Sequence, residues 1–94
     1  MLFEWDSEKN ASNFKKHGIS FEVAVMVFDD PLHLSVLDPK TYPEERWVTI
    51  GHVVTGATLV VVHVYKKLRG LEIIRIISAR HATRKEKKQY EEGI

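Results

Sequence analysis

The sequence predicts a single α+β domain over residues 1–94, with an N-terminal strand and two helices packed on an antiparallel four-stranded meander and a short C-terminal helix. Three observations predict this fold. Capping residues frame two amphipathic segments in the first third of the chain. Runs rich in Val and Ile, separated by short glycine turns, fill the second half. A capping box opens the last, polar segment. Because helices and strands are segregated along the chain, we expect the helices on one sheet face.

The first half of the chain begins with a short strand predicted at residues 2–5. Asp6 or Ser7 can cap a helix over residues 7–17, because their side-chain oxygens satisfy free amides at its start. Gly18 ends that helix, where a left-handed residue is least costly. Ser20 can cap a second helix over 21–28, although the β-branched residues in this segment also fit a buried strand.

The second half of the chain is predicted to be mostly strand. The strands are placed at 32–37, 46–54, 59–66 and 71–79, with a two-proline loop at 38–43 after the first. Short turns make neighbouring strands antiparallel. Thr83 and Glu86 match a capping box for a final helix over 84–91.

The hairpin loops set which side chains share a face of this sheet. A two-residue loop at Thr55-Gly56 places Val48 opposite His63 and Arg46 opposite Tyr65. A second loop at Arg69-Gly70 places His63 opposite Ile76 and Leu59 opposite Arg80. One face then combines polar groups with an aliphatic floor: Arg46, Val48, Ile50, His52, Val61, His63, Tyr65, Ile74, Ile76, Ser78 and Arg80. The other face is more apolar, so we expect the helices to cover it: Trp47, Thr49, Val53, Val60, Val62, Val64, Lys66, Ile73, Arg75, Ile77 and Ala79.

Composition narrows the classes of function. The 94 residues include no cysteine, which excludes disulfides, thiolate metal sites and thiol nucleophiles. No apolar run approaches the ~20 residues of a membrane span, and the N-terminus does not resemble a signal peptide. We therefore expect a cytoplasmic protein without membrane association.

The net charge of +1 conceals two unlike halves. Residues 1–47 carry nine acids and five bases, a net −4, whereas residues 48–94 carry nine bases and four acids, a net +5. Such asymmetry indicates that the C-terminal half binds an anionic partner, and nucleic acid is the first candidate. A solvated basic surface without a partner explains the asymmetry as well.

The mixed sheet face suits metal-free cleavage of RNA through its own 2′-hydroxyl. That reaction needs a base, an acid and cations that stabilise the phosphorane-like transition state. His63 is the candidate acid or base, and Tyr65 can position or donate a proton. Arg46 and Arg80 can hold phosphate through planar, bidentate hydrogen bonds. Further RNA-binding candidates are Lys66, Lys67, Arg69 and Arg75.

Three of these residues also have a purely structural interpretation. His63 can be a sheet histidine bonded to a neighbour, Arg46 can pair with Glu44 or Glu45, and Arg75 can form a salt bridge with Glu72 or a helix carboxylate. The five histidines lack metal-binding spacings such as HExxH, and no glycine-rich phosphate loop is present. We therefore predict neither a metal nor a cofactor.

Several motifs resemble the BrnT-type toxins of bacterial type II toxin–antitoxin systems. The resemblance spans almost the whole chain, and its segments KHGISFE and RIISAR are together highly specific. The matching residues are Phe3-Glu4-Trp5-Asp6, Lys9-Asn10, Asn13, Lys16 to Glu22, Val27 to Pro31, Glu45-Arg46, Ile50-Gly51, Arg75 to Arg80, Ala82-Thr83 and Tyr90-Glu91.

The resemblance implies a RelE-like fold, metal-independent endoribonuclease activity and inhibited translation. It also implies a BrnA-type ribbon-helix-helix antitoxin as partner, assembled with the toxin in a heterotetramer that reaches operator DNA only through the antitoxin. The family's candidate functional positions fall on Glu45, Arg46, His63, Lys66 and Arg80. Glu45 can orient Arg46 or act as a base.

Two positions depart from the pattern of these toxins. Val64 stands where threonine is frequent, and Ala57 stands where arginine is frequent. The alternative interpretation is therefore a non-catalytic toxin-fold module that binds RNA or only its antitoxin and contributes to regulation of its operon. The Lys16-His17-Gly18 motif has a structural explanation, since cations and glycine both favour a helix C-terminus. His17 stays a lesser site candidate.

Overall fold

The computed structural model describes residues 1–41 and 43–93. Tyr42, which we placed in the loop at 38–43, and Ile94, the end of the predicted domain, lie outside the described residues. The helices are α1 (Ser7–His17), α2 (Phe21–Ala24) and α3 (Arg84–Glu92), with 3-10 helices at Val25–Asp29 and Pro39–Thr41. The strands are β1 (Leu2–Glu4), β2 (Leu34–Asp38), β3 (Arg46–His52), β4 (Thr58–Leu68) and β5 (Leu71–His81).

The predicted caps set the helix bounds. The Asp6 carboxylate accepts hydrogen bonds from the backbone N–H of Glu8 and Lys9, and Gly18 ends α1 at φ 72°. Ser20 caps α2, but the second predicted helix tightens into a 3-10 helix after Ala24. The capping box of Thr83 and Glu86 is formed at the start of α3. The predicted α+β class is confirmed, with the second helix divided in two.

The five strands form one sheet in the order β1-β5-β4-β3-β2. The antiparallel meander β2 to β5 is as predicted, and β1 extends it by pairing in parallel with β5. The α1–α2 region and the 3-10 helix Val25–Asp29 contact β5 and β3. Their buried side chains form the core with inward residues of the sheet: Ile19, Phe21, Ala24, Val27, Val53, Leu59, Val61, Ile74, Ile76 and Ala79. We call this side of the sheet the helix face.

The register of the first hairpin differs from the prediction by one residue. Its loop has three residues, since Val53 N–H donates to the Ala57 carbonyl and His52 pairs with Thr58. Gly56, at φ 90°, supplies the left-handed residue that such loops require. His63 therefore pairs with Trp47, and the predicted pairings of Val48 with His63 and Arg46 with Tyr65 were wrong.

The second hairpin agrees with the prediction near its turn and departs from it farther along. Leu68 pairs with Leu71 and His63 with Ile76, as the two-residue loop requires. A bulge beside Val62 and His63 then shifts the register, so that Leu59 pairs with His81 and Arg80 pairs with Val60. Because a bulge places one extra residue in a strand, it changes every pairing beyond it.

The two register changes rearrange the predicted faces. The helix face carries Trp47, Thr49, Val61, His63, Tyr65, Ile74, Ile76 and Ala79. The opposite side, which we call the open face, carries Arg46, Val48, Ile50, His52, Val60, Val62, Val64, Lys66, Arg75, Ser78 and Arg80. The prediction that His63 and Tyr65 share a face with Arg46 and Arg80 was therefore wrong, as was the prediction that the helices cover the side with Val60, Val62, Val64, Lys66 and Arg75.

A close helix–sheet approach lies at Gly51. A Cβ atom there would lie 2.9 Å from Val27 Cβ and 3.0 Å from the Val27 carbonyl oxygen. Only glycine allows the 3-10 helix Val25–Asp29 to pack this closely on β3. Within residues 1–41 and 43–93, no helix is long and apolar enough to cross a membrane.

Candidate nucleic-acid interface

Two basic side chains of the open face converge on one acidic oxygen. Lys66 Nζ and Arg75 NH1 each lie 2.8 Å from Oε2 of Glu4. Parallel pairing of β1 with β5 creates this cluster, because it places Glu4 beside Arg75. Hydrogen bonds from Lys66 and then Arg75 hold the pKa of the Glu4 carboxyl below its usual value. The carboxylate is therefore ionised at neutral pH, and the cluster carries one net positive charge.

Arg80 also lies on the open face, but a helix carboxylate occupies its guanidinium. NH1 lies 2.7 Å from Glu86 Oε1, and NH2 lies 2.8 Å from Oε2, a bidentate pair. This contact raises the pKa of Arg80 and lowers the pKa of Glu86 to about 2. An anion that binds Arg80 must therefore displace Glu86 or share the guanidinium with it.

Arg46 lies where β3 begins. Its Nε donates to Glu44 Oε1 at 2.8 Å, so Glu44 and not Glu45 orients the guanidinium in this structure. Glu45 is exposed. The pair is itself solvent-exposed, and exposed ion pairs of this kind contribute about 0–1 kcal/mol and exchange easily. Arg46 is thus available to an incoming phosphate at little cost.

His63 lies in the core rather than on the open face. The side chain is fully buried, its Nε2 is 2.7 Å from Thr49 Oγ1, and Thr49 Oγ1 is 2.6 Å from Ser35 Oγ. Burial, and then the nearby His33, lower the pKa of His63 to about 4. The imidazole is therefore neutral near pH 7 and has no path to a substrate on the sheet surface.

Tyr65, Lys67 and Arg69 lie on or beside the helix face, where the β4–β5 hairpin extends past the end of β3. Tyr65 is 41% exposed and packs edge-on against both His63 and Trp47. Lys67 follows it on the same face, and Arg69 occupies the turn with a positive φ of 52°. These candidates are brought together with one another, but not with Arg80.

The C-terminal helix is anchored on the open-face side by a polar cluster that the sequence did not reveal. The Tyr90 hydroxyl donates to Oδ2 of Asp30, and the Tyr90 ring stacks on His52 at 5.5 Å between centroids. His52 N–H also donates to Asp30 Oδ2 at 2.8 Å. Burial works to raise the pKa of Asp30, but these hydrogen bonds outweigh it and lower the value. The hydrogen bond to Asp30 raises the pKa of Tyr90 to about 12.

No three His, Asp or Glu side chains come together as a metal-ligand group among residues 1–41 and 43–93. The candidate interface is a set of cations on the open face, and each of its arginines and Lys66 is paired with a carboxylate. Phosphate groups and acidic side chains are the ligands that such a set of cations can bind.

Residues 5–86 match the pattern of the family described as the ribonuclease toxin, BrnT, of type II toxin–antitoxin systems. The chain belongs to this family. The crystal structure of the ribonuclease toxin BrnT from Brucella abortus superimposes with a TM-score of 0.60 at 23% identity, covering 89% of this chain and all of that one. The two chains have the same fold. No curated protein matches the chain as a relative.

The polar residues of the BrnT motif in α1 have structural roles here. The Asn13 amide is buried, donates to the carbonyls of Ile19 and Ala79, and accepts from the Ala79 N–H at 3.1 Å. Asn10 accepts from the Phe21 N–H and donates to Glu22. These bonds fasten α1 to the start of α2 and to β5, which explains the spacing of the motif. His17 ends α1, as the structural interpretation predicts.

Replacing Asn13 with alanine is expected to lower the free energy of unfolding by about 2 kcal/mol. The change leaves the buried N–H of Ala79 and two carbonyls without their partner, and an unsatisfied buried group costs about 1–3 kcal/mol. Urea unfolding measures the loss. Ser12→Ala, on the exposed side of the same helix, is the matched control and should change stability by less than about 0.5 kcal/mol. Equal effects of the two substitutions would contradict this role.

The two positions at which we expected departures from the BrnT pattern fall in different places. Val64 lies on the open face beside Arg75, so a threonine there would add a hydroxyl to this set of cations. Ala57 is half-buried in the first hairpin loop, where its carbonyl accepts the Val53 N–H. The absence of threonine at position 64 thus bears on the interface directly.

Proposed function

We propose that this chain is the toxin of a type II toxin–antitoxin pair and that it cleaves RNA without a metal, which inhibits translation. The observation that carries the proposal is the convergence of Lys66 and Arg75 on Glu4 at the open face. A phosphodiester can replace the carboxylate between the two cations. Membership of a family described as ribonuclease toxins supports RNA as the substrate class.

The proposed reaction uses the RNA itself as nucleophile. The 2′-oxygen attacks the adjacent phosphorus, its proton passes to a base, and the 5′-oxygen leaves with a proton from an acid. Lys66 and Arg75 stabilise the additional negative charge on the phosphorane-like transition state. Once phosphate separates Glu4 from the cations, the pKa of its carboxyl returns towards the usual range, and Glu4 can accept the 2′-proton. The Lys66 ammonium can donate to the leaving oxygen.

The remaining basic residues are assigned to positioning. Arg46 and Arg80 bind neighbouring phosphates by exchanging Glu44 and Glu86 for the ligand. Lys67 and Arg69 extend the contact along the hairpin, and Glu45 lies beside Arg46 as a second carboxylate. The sequence indicated His63 as the acid or base, but His63 is buried beneath the helices. We therefore assign the base to Glu4 and the acid to Lys66.

The same cations support the proposal of a BrnA-type ribbon-helix-helix antitoxin as partner. Acidic side chains of a partner can replace Glu4, Glu44 and Glu86 and so cover the interface that RNA needs. We propose a heterotetramer of toxin and antitoxin that reaches operator DNA through the antitoxin alone. Inhibition and assembly would then depend on one surface.

A second candidate function is a toxin-fold module that binds RNA or its antitoxin without catalysis. What favours it is the burial of His63, because the Lys66–Arg75 cluster then has no imidazole beside it among the described residues. An imidazole titrates near neutral pH and is the usual acid or base of such chemistry.

Induced expression in bacteria is expected to stop growth, and coexpression of the proposed antitoxin is expected to restore it. Purified protein should cut end-labelled RNA in excess EDTA and leave a 2′,3′-cyclic phosphate with a free 5′-hydroxyl, the products of 2′-oxygen attack. Growth arrest with intact RNA would favour the binding module. Cleavage that stops with EDTA and returns with a divalent ion would contradict the metal-free mechanism.

A further inference from the structure

Four rings form an edge-to-face series that runs from the core to the surface. Phe28 and His63 lie 4.9 Å apart between centroids, His63 and Tyr65 lie 5.1 Å apart, and Tyr65 and Trp47 lie 5.5 Å apart. The interplanar angles are 81°, 86° and 71°. Tyr65 is therefore held on two sides by other rings while 41% of it faces solvent. An exposed aromatic ring that is already fixed loses little side-chain entropy when a flat ligand stacks on it.

The surroundings of Tyr65 are basic. It lines a surface groove with Lys66, Lys67 and Glu72, and Arg69 follows in the turn, so that this part of the hairpin carries three cations and one carboxylate. Arg69 has a left-handed backbone, which costs a residue other than glycine about 1 kcal/mol or more. Glycine or asparagine would fit that turn with less strain. The arginine at this position therefore carries a conformational cost that those residues would avoid.

A path also connects this groove to the open face. Pairing of β3 with β4 ends at Trp47 and His63, so β3 does not cover the β4 edge from Tyr65 onward. Tyr65 and Lys66 are neighbours on opposite faces at that edge. A single strand of RNA crossing the edge can place one base against Tyr65 and the adjoining phosphate near Lys66.

We propose that Tyr65, supported by Trp47, is a stacking subsite for one unpaired nucleobase, with Lys66 near the phosphate on one side of that base and Lys67 and Arg69 binding the phosphate on the other side. The inference rests on the proposed function, because it takes RNA as the ligand. Aromatic rings beside cations are the usual recognition surface for single-stranded RNA, and every base offers a flat face to stack. The subsite binds substrate on the helix face, whereas cleavage occurs at the Lys66–Arg75 cluster on the open face.

The test measures binding separately from cleavage. A short 2′-O-methyl RNA lacks the attacking hydroxyl, so fluorescence anisotropy reports binding to the intact chain without cleavage. A second oligonucleotide of equal length and charge carries abasic sites. Tyr65→Leu is expected to raise the Kd for the base-containing strand about 10-fold and to leave the Kd for the abasic strand unchanged. Tyr65→Phe keeps the ring and should stay within about twofold of the native protein, whereas Lys67→Gln should weaken binding of both strands.

Any of three binding results would overturn the subsite. In the first, Tyr65→Leu affects neither strand; in the second, it weakens the binding of both strands equally; in the third, Tyr65→Phe is as damaging as Tyr65→Leu. Thermal unfolding of each variant shows whether it is folded under the conditions of the binding measurement. Loss of antitoxin rescue in Tyr65→Leu with unchanged RNA binding would assign the ring to a protein partner and also overturn the proposal. A different result would contradict the proposed function and leave the subsite standing. In that case unmodified RNA stays intact, although its binding still depends on Tyr65 and on the presence of bases.

Discussion

Replacing Lys66 and Arg75 together with glutamine is expected to lower the rate of RNA cleavage by about 1,000-fold or more. Both cations are placed to stabilise charge that develops on the phosphorus oxygens, and removing one such donor from an active site typically costs about 100- to 1,000-fold. Arg75→Gln alone should cost about 100-fold. Because the two residues act on the same charge, the two losses are not expected to multiply. Initial rates on labelled RNA measure the effect.

The controls separate charge stabilisation from a general loss of positive charge. Arg84→Gln removes an exposed arginine at the start of α3 and should leave the rate within about twofold. Glu4→Gln tests the base: it is expected to slow cleavage while RNA binding becomes tighter, because the carboxylate no longer competes for the cations. A double variant that retains a tenth of the native rate would place the chemistry elsewhere on the sheet. A Glu4→Gln variant with the native rate would make Glu4 a counter-ion only.

Local signals in the sequence were sufficient for the order of the elements and for the residues at which the helices begin. Asp6, Ser20 and Thr83 cap helices that begin at Ser7, Phe21 and Arg84, as their side-chain chemistry predicts. Each cap bonds to a backbone N–H within three residues, so the signal that predicts where the helix begins lies in the segment itself. The meander followed from turn residues for the same reason.

The distribution of side chains over the two faces depended on smaller features that composition does not reveal. Thr55-Gly56 fits a two-residue loop and also the end of a three-residue loop, and only the second is formed. One additional residue in this loop moves every side chain of β3 to the opposite face relative to β4. Arg46 and His63 therefore lie on different faces of the sheet. The bulge beside Val62 and His63 has no glycine or proline to mark it, yet it moves Arg80 out of register with Leu59.

The acidic half of the interface was not predictable for another reason. Glu4 reaches Lys66 and Arg75 only because β1 pairs with the last strand, across nearly the whole length of the chain. A three-residue strand carries too little pattern to choose its neighbour. By contrast, the expectation that Arg46 pairs with Glu44 or Glu45 needed only local spacing, and the Glu44 pair is present.

His63 is expected to make stability depend on pH above the range in which the carboxylates titrate. An unfolded histidine takes up a proton near pH 6.5, whereas burial lowers the pKa of folded His63 to about 4. Between these values the unfolded chain binds more protons, so stability falls as the pH falls. Lowering the pH from 7 to 4.5 should therefore remove about 2.5 kcal/mol from the free energy of unfolding. Urea unfolding at several pH values measures this slope.

The His63→Gln variant assigns the slope to this residue. Glutamine can keep a hydrogen bond to Thr49 Oγ1 but has no charge to gain, so its stability at pH 7 should be lower and its profile between pH 7 and 4.5 flatter. Glu4, Asp30 and Glu86, whose pKa values are lowered, lose their contributions progressively from about pH 5 downward, and these losses are common to both proteins. Parallel profiles for the two proteins would show that folded His63 titrates normally. It would then be open to solvent, and its exclusion from the chemistry of the interface would no longer hold.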